Sequence, residues 1–316
     1  MDVSVIIINW NTRQLLYDCL KSMKDTTKNI TYEVIVVDNN SSDDSVEMLA
    51  EQFPDVKLIV NDKNLGFAAA NNQGIEISQG RYVLLLNSDT ILYEGAIEKN
   101  VIYADDNLDA AVFGCRVMNS VNSVGMTCFS FPTLLNLFFT MTGLEQAFKM
   151  NRLFGRERMR WWPRDTFRRV DVVTGMYMFV RKNAIDEVGA MDDSFFFYYE
   201  EADWCYRFAK AGWKALFNPE AIIMHVGGGG QSSVNEALKM FVQKQKSCLI
   251  YFRKHKGPLK TFIARMLLAI SYAIRSLYWS SIVMWKKLIA GQTRHHMPNK
   301  LKTLAAVKYL LFGIEP

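Results

Sequence analysis

Three carboxylates stand within four positions, directly after a run of five aromatic residues. The stretch begins with Phe195-Phe-Phe-Tyr-Tyr199 and continues into Glu200, Glu201 and Asp203. Apolar surroundings make a carboxylate costly to ionise and raise its pKa, so such a group can accept a proton from a hydroxyl near neutral pH. Acidic residues are also favoured at a helix N-terminus by the helix dipole and by capping. The pattern therefore predicts either a general base or an acidic helix start.

Composition places the chain among ordinary folded proteins. Its 316 residues, half of them apolar, can bury a core as one large or two smaller domains. The net charge of +5 is mild and does not indicate a nucleic-acid-binding protein. Five scattered cysteines without a CxxC motif argue against a disulfide framework and favour a reducing compartment. We expect no signal peptide, and no run of 18 uncharged apolar residues indicates a transmembrane helix.

Strands and helices alternate through the first third of the chain. The predicted strands are Val3–Ile8, Glu33–Val37, Val56–Val60, Tyr82–Leu86 and Ala111–Gly114, and the predicted helices are Arg13–Lys24, Ser42–Gln52, Ala68–Ser78 and Glu94–Asp105. This alternation predicts an α/β fold with a mostly parallel central sheet. In such sheets, ligands bind at the carboxyl ends of the strands.

Polar residues follow each of the first four predicted strands. They are Asn9 and Asn11, Asp38, Asn64 with Gly66, and Asn87 with Asp89. Each is an ordinary turn former or helix cap when taken alone, but all four strands end this way at one edge of one sheet. No GxGxxG follows the first strand and no GxxxxGK[ST] occurs, which disfavours a dinucleotide site and excludes a P-loop.

Seven short motifs occur in a fixed order between residues 3 and 235. They are VSVIIIN from Val3, VVDNNSS from Val36, NLGFAAAN from Asn64, LLLNSD from Leu84, Thr174-Gly175, EEADW from Glu200 and HVGG from His225. This ordered set resembles the inverting glycosyltransferases of family 2, which have the GT-A nucleotide-sugar-binding fold. The nearest subgroup resembles bacterial rhamnosyltransferases of O-antigen and cell-wall assembly.

The resemblance implies a domain organisation. Residues 1–235 would form the GT-A catalytic domain, with a nucleotide-binding half over about 1–115 and an acceptor and catalytic half over 116–235. Residues 236–316 would form a helical C-terminal region.

The resemblance also implies a nucleotide site. Asp38 would accept a hydrogen bond from N3–H of uracil or thymine, with Asn9 near the base or ribose. The other residues assigned to the nucleotide are Asn11, Asn64, Gly66 and Asn87.

A metal site would lie beside the nucleotide. Asp89 matches the last acid of the family's Asp-x-Asp motif, which holds Mg²⁺ or Mn²⁺ on the donor diphosphate. Asn87 replaces the first acid of that motif, which weakens cation binding but is familiar in the rhamnosyltransferase-like subgroup. His225 precedes Gly227-Gly-Gly-Gly230, where glycines allow close approach to phosphate. It is either a metal or diphosphate ligand or a buried structural histidine.

Glu201 occupies the place of the family's general base. It would deprotonate the acceptor hydroxyl, whose attack on the anomeric carbon inverts the configuration there. Glu200 and Asp203 are the alternatives, because positions 200 and 203 share a helix face while 201 points about 100° away. The family usually has Asp at the position of Glu201, so the exact assignment stays open.

Three further residues are assigned to the acceptor or donor sugar. Thr174 and Gly175 lie inside a predicted strand, Asp171–Val180, and a glycine at a β-bulge is the alternative. Trp204 would stack on a sugar face.

Two segments suggest a membrane or a partner. Residues 151–170 carry seven arginines around Trp161-Trp-Pro163, which indicates a solvated loop or a docking surface for an anionic membrane or a lipid diphosphate. Leu134–Met150 is apolar enough to form a mobile helix that faces the membrane or the acceptor, or else a core helix. After a helix over Asn235–Lys256, the segment Leu259–Ala290 is almost wholly apolar.

The charges of that last segment are confined to one side. Arg265, Arg275, Lys286 and Lys287 fall within an arc of roughly 120° at helical spacing. This predicts basic amphipathic helices in a membrane interface, or a helical hairpin that closes on the globular domain or on a homodimer partner.

The leading hypothesis is an enzyme that moves a deoxyhexose, such as L-rhamnose from dTDP-rhamnose, to a glycan or lipid-diphosphate-linked acceptor in cell-surface polysaccharide synthesis. It would act as a peripheral protein at the cytoplasmic face of the membrane. The alternatives are a UDP-hexose-dependent transferase of the same fold and a non-catalytic nucleotide-sugar-binding partner protein. The placed carboxylates and histidine, rather than the fold alone, favour the enzyme.

Overall fold

The computed structural model describes residues 1–119, 123–227, 234–290 and 297–316. It contains two compact units. The first, here called the sheet unit, comprises Met1–Phe131, Gly155–Phe196 and Glu200–Gly230, and the second, the helical unit, comprises Pro132–Phe154, Phe197–Tyr199 and Gln231–Pro316. The helical unit therefore includes residues 132–154 and 197–199, which the sequence placed in the first domain.

The sheet unit contains eleven strands in the described residues. They are β1 (Val3–Asn9), β2 (Tyr32–Asp38), β3 (Lys57–Val60), β4 (Tyr82–Asn87), β5 (Thr90–Leu92), β6 (Ala110–Asn119), β7 (Cys128–Phe129), β8 (Arg168–Val170), β9 (Val172–Val173), β10 (Tyr177–Arg181) and β11 (Lys214–His225). Its helices are α1 (Arg13–Thr26), α2 (Ser45–Gln52), α3 (Phe67–Ile77), α4 (Ala96–Asp105), α7 (Lys182–Val188) and α8 (Glu200–Lys210).

Nine of these strands form one sheet in the order β3-β2-β1-β4-β10-β6-β11-β5, with β8 beside β11. The first four strands are parallel, and β6 pairs with β11 in parallel. β10 lies between β4 and β6 and is antiparallel to both, so β6 runs in the same direction as β4. The predicted α/β class with a mostly parallel sheet is confirmed. The insertion of the antiparallel strand β10 between β4 and β6 could not be predicted from local sequence patterns.

The core explains why β1 lies near the sheet's middle. Val3, Val5, Ile6 and Ile7 are all fully buried, because β-branched side chains on both faces of a parallel strand are covered by helices. The strand therefore carries its polar end, Asn9, to a fixed position.

Two sequence predictions for this unit were wrong in detail. The helix expected from Ser42 begins at Ser45, after Asp44 in the left-handed conformation with φ of 59°. The amide of Ser42 instead donates to Oδ1 of Asn11. The strand expected over Asp171–Val180 is broken, so that Thr174 and Gly175 lie between β9 and β10.

The helical unit has five helices in the described residues. They are α5 (Leu134–Thr142), α6 (Leu144–Ala147), α9 (Val234–Lys256), α10 (Pro258–Ala290) and α11 (Met297–Phe312). Gly143 and Gly257 separate consecutive helices with φ of 81° and 83°, a conformation that glycine adopts without strain. The helix expected over Leu134–Met150 is therefore divided at Gly143.

Arg275 lies on the inner side of α10. Its guanidinium donates to the carbonyls of Thr140 and Met141, and Ser271 Oγ also donates to Met141 O. The last carbonyls of a helix have no intrahelical partner, so these groups complete the C-terminus of α5. Arg275 is thus a packing residue, whereas the sequence placed it on the charged side of an amphipathic helix in a membrane interface, or in a hairpin that closes on the protein.

One described helix is long and apolar enough to cross a bilayer by length and composition, over Pro258–Trp285. Its most apolar window is 28% buried inside the protein. The core helices of soluble proteins meet the same criteria, so this feature alone decides nothing. The sequence did not predict this helix as transmembrane, because Arg265 and Arg275 interrupt the run of uncharged residues.

Candidate active site

Asn9 and Asp38 meet at the carboxyl edge of the sheet. They are paired in the parallel register of β1 and β2, and Asn9 Nδ2 donates to Asp38 Oδ1 over 2.7 Å. The amide of Ser41 donates to Asp38 Oδ2 over 2.8 Å. Both side chains are completely buried. Asp38 therefore keeps acceptor lone pairs beyond these two hydrogen bonds.

Asn11 joins the two loops that follow β1 and β2. Its φ of 55° turns the chain, its amide donates to Ser41 Oγ over 2.9 Å, and its Oδ1 accepts the Ser42 amide over 2.8 Å. Asn tolerates the left-handed conformation better than most residues. The residue thus shapes the site's edge.

The loop after β3 is held by side-chain amides. Asn64 Oδ1 accepts the Gly66 amide over 2.9 Å, and Asn39 Nδ2 donates to the Gly66 carbonyl over 3.2 Å. Gly66 has φ of 83°, and a Cβ there would lie 2.4 Å from the carbonyl oxygen of Phe196. Only glycine fits at that position. Asn39, which is buried, was not singled out from the sequence, although it directly follows Asp38.

Asp89, directly before β5, and His225, at the end of β11, form a pair. Thr90 is opposite His225 in the β5–β11 ladder, and His225 Nε2 lies 3.0 Å from Asp89 Oδ2. The hydrogen bond to Asp89 raises the pKa of His225 above its ordinary value. The Asn87 amide donates to Met176 O over 3.1 Å. Residues 228–230 of the predicted glycine run lie outside the described residues.

A cation could be held by this pair together with a ligand. Within the described ranges there is no cluster of three or more His, Cys, Asp or Glu side chains suited to a metal. Mg²⁺, however, is commonly bound by one or two carboxylates plus substrate phosphates. Asp89 and His225 are partly exposed, at 18% and 29% of the side chain, so their donor atoms fit a cation shared with a diphosphate.

Glu201 lies in the first turn of α8 and contacts the loop between β9 and β10. The Gly175 amide donates to Glu201 Oε1 over 3.3 Å. A Cβ at Gly175 would lie 2.7 Å from the ring of Phe67 and 3.6 Å from Glu201 Cγ. The backbone amide of Thr174 donates a hydrogen bond to the Thr127 carbonyl over 3.0 Å. The structure therefore brings Thr174, Gly175 and Glu201 together.

Glu200 has a different environment from Glu201. It is 2% exposed, and its Oε2 has no hydrogen-bond partner among the described residues. Burial and the neighbouring Glu201 charge raise the pKa of Glu200 well above its ordinary value, which favours the neutral form. Glu201, of intermediate exposure, is the carboxylate better placed to meet a substrate.

Asp203 and Trp204 face the interior. Asp203 is fully buried and accepts from Arg207 Nε over 2.9 Å, and Arg207 also donates to Val188 O and Ala190 O. Trp204 is fully buried as well, and its Nε1 donates a hydrogen bond to the Gly189 carbonyl. Its burial contradicts the sugar-stacking role suggested by the sequence, because a helix of this amphipathicity turns position 204 towards the core.

We expect Asp203→Ala to lower the free energy of unfolding by about 3 kcal/mol, because it leaves Arg207 beside a buried site without its ion-pair partner. Denaturant unfolding followed by circular dichroism measures this. Asp193→Ala, at an exposed position of the preceding loop, is the matched control and should change little. Unchanged stability in the first variant, with lost activity, would return Asp203 to the catalytic group.

Two consecutive tyrosines before α8 have unusual backbones. Tyr198 and Tyr199 both have φ of 69°, a region that aromatic residues rarely adopt and that is enriched at functional sites. Within the helical unit, Tyr199 packs near Tyr251 and Ser247 Oγ donates to Phe197 O. No sequence signal indicates this conformation.

The arginine-rich segment is partly internal to the sheet unit. Arg164 is buried and donates to the carbonyls of Met159, Trp162 and Arg158. The Arg168 guanidinium lies 4.7 Å from the ring centroid of Trp161. Arg164 is therefore a packing residue of this segment and does not belong to the predicted docking surface.

Comparisons with known proteins agree with this architecture. The sequence model described as "Glycosyl transferase family 2" matches residues 4–188, more than half of the chain. A Mycobacterium tuberculosis protein named N-acetylglucosaminyl-diphospho-decaprenol L-rhamnosyltransferase is 26% identical over 211 residues, 61% of this chain and 66% of that protein. The Haloferax volcanii "Low-salt glycan biosynthesis hexosyltransferase Agl10" is 28% identical over 211 residues, 65% of this chain and 61% of that protein. The matched region is thus shorter than two thirds of either relative.

Two solved structures share the fold. The mannosyltransferase PcManGT from Pyrobaculum calidifontis, in complex with GDP-Man and Mn²⁺, has a TM-score of 0.54 and 15% identity over 99% of this chain and 88% of its own. S. aureus TarS has a TM-score of 0.51 and 14% identity over 98% of this chain and 49% of its own. These likenesses establish the GT-A type of architecture for the sheet. With the family match over residues 4–188, they show that the chain belongs to glycosyl transferase family 2.

Proposed function

We propose that this protein is an inverting glycosyltransferase that moves L-rhamnose from dTDP-rhamnose to a glycan or lipid-diphosphate-linked acceptor in cell-surface polysaccharide synthesis. The observation that carries the proposal is the position of Glu201, partly exposed and held by the Gly175 amide, in a family 2 fold. The name of the Mycobacterium tuberculosis relative supports the choice of sugar and acceptor class.

Glu201 acts as the general base. Its carboxylate accepts the proton of the acceptor hydroxyl, and the hydroxyl oxygen forms a bond to the anomeric carbon while the bond from that carbon to the nucleotide diphosphate breaks. A single displacement of this kind inverts the anomeric configuration. The Gly175 amide orients the carboxylate. The neutral form of Glu200, favoured by burial, avoids a second negative charge beside the base.

The donor lies across the carboxyl edge of the sheet. Asp38 and Asn9 receive the base and ribose, and the loop of Asn64 and Gly66 lies against the nucleotide. Asp89 and His225 would hold Mg²⁺ or Mn²⁺ together with the donor diphosphate, and such a cation would supply Lewis-acid stabilisation of the negative charge on the leaving group. Support comes from the Asp89–His225 distance of 3.0 Å and from the Mn²⁺ named with the Pyrobaculum mannosyltransferase.

A UDP-hexose donor is the second candidate, favoured by the hexosyltransferase name of the Haloferax relative. The two donors differ in the base contacts and the sugar pocket but use the same carboxylates. A non-catalytic nucleotide-sugar-binding role is disfavoured by the Glu201–Gly175 geometry.

A thermal-shift panel separates these donors. With dTDP, UDP, GDP and ADP, each with and without Mn²⁺, we expect dTDP with Mn²⁺ to raise the Tm most, by roughly 4–6 °C at a concentration about a hundredfold above Kd. ADP is the control for a base that Asp38 does not accept. A larger shift by UDP would favour the hexose donor. No shift by any nucleotide, in protein shown to be folded, would contradict the donor site.

The acceptor class also suggests a location. A lipid-diphosphate acceptor has its diphosphate at the bilayer surface, so the enzyme would work there as a peripheral protein at the cytoplasmic face.

A further inference from the structure

The two units carry opposite net charges. The helical unit has 17 Lys and Arg against 3 Asp and Glu, a formal charge of +14, whereas the rest of the chain has 20 against 29, a charge of −9. The mild overall charge conceals this separation. A strongly basic unit favours an anionic partner.

The same unit carries most of the exposed apolar surface. Of the 29 large apolar side chains that are exposed in the described residues, 20 belong to the helical unit. Nine of them follow one another along α10: Leu259, Phe262, Ile263, Ile270, Ile274, Leu277, Tyr278, Met284 and Trp285. Contiguous apolar surface of this kind marks an interaction site, whereas single apolar residues scattered over a surface do not.

These nine residues form one continuous stripe, here called the outer stripe. At 100° per residue they fall within an arc of about 160°. The opposite side of α10 is the packed one: Ala264, Leu268 and Tyr272 are buried there. Arg275 and Ser271 are also used on that side, against the carbonyls at the end of α5. The helix therefore packs its inner face against the helical unit and leaves an apolar outer face exposed.

Helix α11 repeats the arrangement. Thr303, Ala306 and Leu310 are buried, while Leu301, Leu304 and Phe312 are exposed, the last at 70%. Exposed basic residues lie on both helices, Lys260 and Arg265 on α10 and Lys308 on α11. Apolar residues flanked by basic ones are typical of helices that lie in a membrane interface.

We propose that the outer stripe of α10 is a docking surface for an anionic lipid bilayer, with the helix lying in the interface rather than crossing it. Charge selects this occupant. A second copy of the chain packed stripe against stripe would bring two units of +14 together, whereas anionic headgroups attract basic residues near the surface. The inner face argues against crossing, because Arg275 and Ser271 there are committed to α5.

This inference deepens the proposed function, since it rests on an acceptor at the bilayer surface. Lipid binding needs no sugar donor, however, so the two can fail separately. Loss of nucleotide shifts with intact vesicle binding would contradict the enzyme alone, and normal transfer to a soluble acceptor without vesicle binding would contradict the docking surface alone.

The test is flotation of the full-length protein with vesicles. We expect strong binding to phosphatidylcholine containing about a third phosphatidylglycerol, weak binding to phosphatidylcholine alone, and a loss at high salt. Leu277→Glu should weaken the binding by roughly tenfold or more, because it places a charge where an apolar side chain enters the interface. Ile274→Glu serves as a second variant on the same stripe.

Leu108→Glu is the matched control. Leu108 lies in the sheet unit and is 71% exposed, against 73% for Leu277, so both variants add the same charge at equal exposure. Unchanged vesicle binding by both stripe variants would overturn the proposal. So would a wild-type dimer in light scattering that Leu277→Glu converts to monomer without any vesicle binding. Resistance of the wild-type protein to alkaline carbonate extraction would overturn the interfacial arrangement in favour of a crossing helix.

Discussion

Replacing Glu201 with glutamine is expected to lower kcat by roughly a thousandfold while leaving nucleotide binding intact. The amide keeps the shape and can still accept from the Gly175 amide, but it cannot take the acceptor proton. The measurement is a steady-state assay of sugar transfer, with the thermal shift by the donor nucleotide as the readout of binding. The Michaelis constant for the donor should change little, because Glu201 acts on the acceptor side.

Three comparison variants make this result specific. Glu201→Asp, which introduces the residue usual in the family, should retain part of the activity. Glu200→Gln should stay near wild type, because burial already favours the neutral form of that carboxyl group. Glu76→Gln, at an exposed position on α3, controls for the loss of one charge. If Glu200→Gln abolished transfer and Glu201→Gln did not, the roles of the two carboxylates would be reversed.

The strands that hold the site were predictable because their signal is local. The β-branched run of β1 and the apolar runs of β2 and β4 identify buried strands by composition alone. A parallel sheet then brings their carboxyl ends to one edge, so the neighbourhood of Asn9 and Asp38 follows from chain order. The pairing of Asp89 with His225 was not predicted, because they lie 136 positions apart; only the family resemblance assigned both to one metal site.

Orientation within α8 could not be predicted in the same way. Glu200, Glu201 and Asp203 are chemically alike in the sequence, and what separates them is packing: Asp203 faces Arg207 and Glu200 faces the core. Helical spacing predicts that they diverge but not which side is inside. Trp204 shows the same limit, since its ring is buried and its Nε1 donates to the Gly189 carbonyl, 15 positions earlier in the chain.

The charged side of α10 shows a limit of a different kind. Helical spacing correctly groups Arg265 and Arg275 on one side of the helix, and that side was expected to face water or lipid headgroups. The structure turns Arg275 inward instead, where it donates to the open carbonyls at the end of α5, while Arg265 stays exposed. Periodicity identifies a face but not its partner. The apolar side is consequently the one left outside.

Replacing Asp89 with asparagine is expected to lower transfer by about a hundredfold or more and to remove the effect of Mn²⁺ on nucleotide binding. Asp89 supplies the only carboxylate of the Asp89–His225 pair, and Asn87 offers no second acid to compensate. Removing one of only a few charged ligands strongly weakens the binding of a hard cation. Steady-state transfer assays and thermal shifts with dTDP, with and without Mn²⁺, measure the two effects.

Two controls separate a metal role from a structural one. Asp62→Asn removes an exposed carboxylate from the loop after β3 and should leave transfer unchanged. EDTA should depress the wild-type activity to near the level of Asp89→Asn and have little further effect on that variant. An independent readout is the titration of His225 by NMR. Asp89 raises the pKa of His225, so that pKa should fall towards its ordinary value in Asp89→Asn. Full Mn²⁺-dependent activity in a variant whose His225 pKa has fallen would mean that the two residues are paired but do not hold the cation.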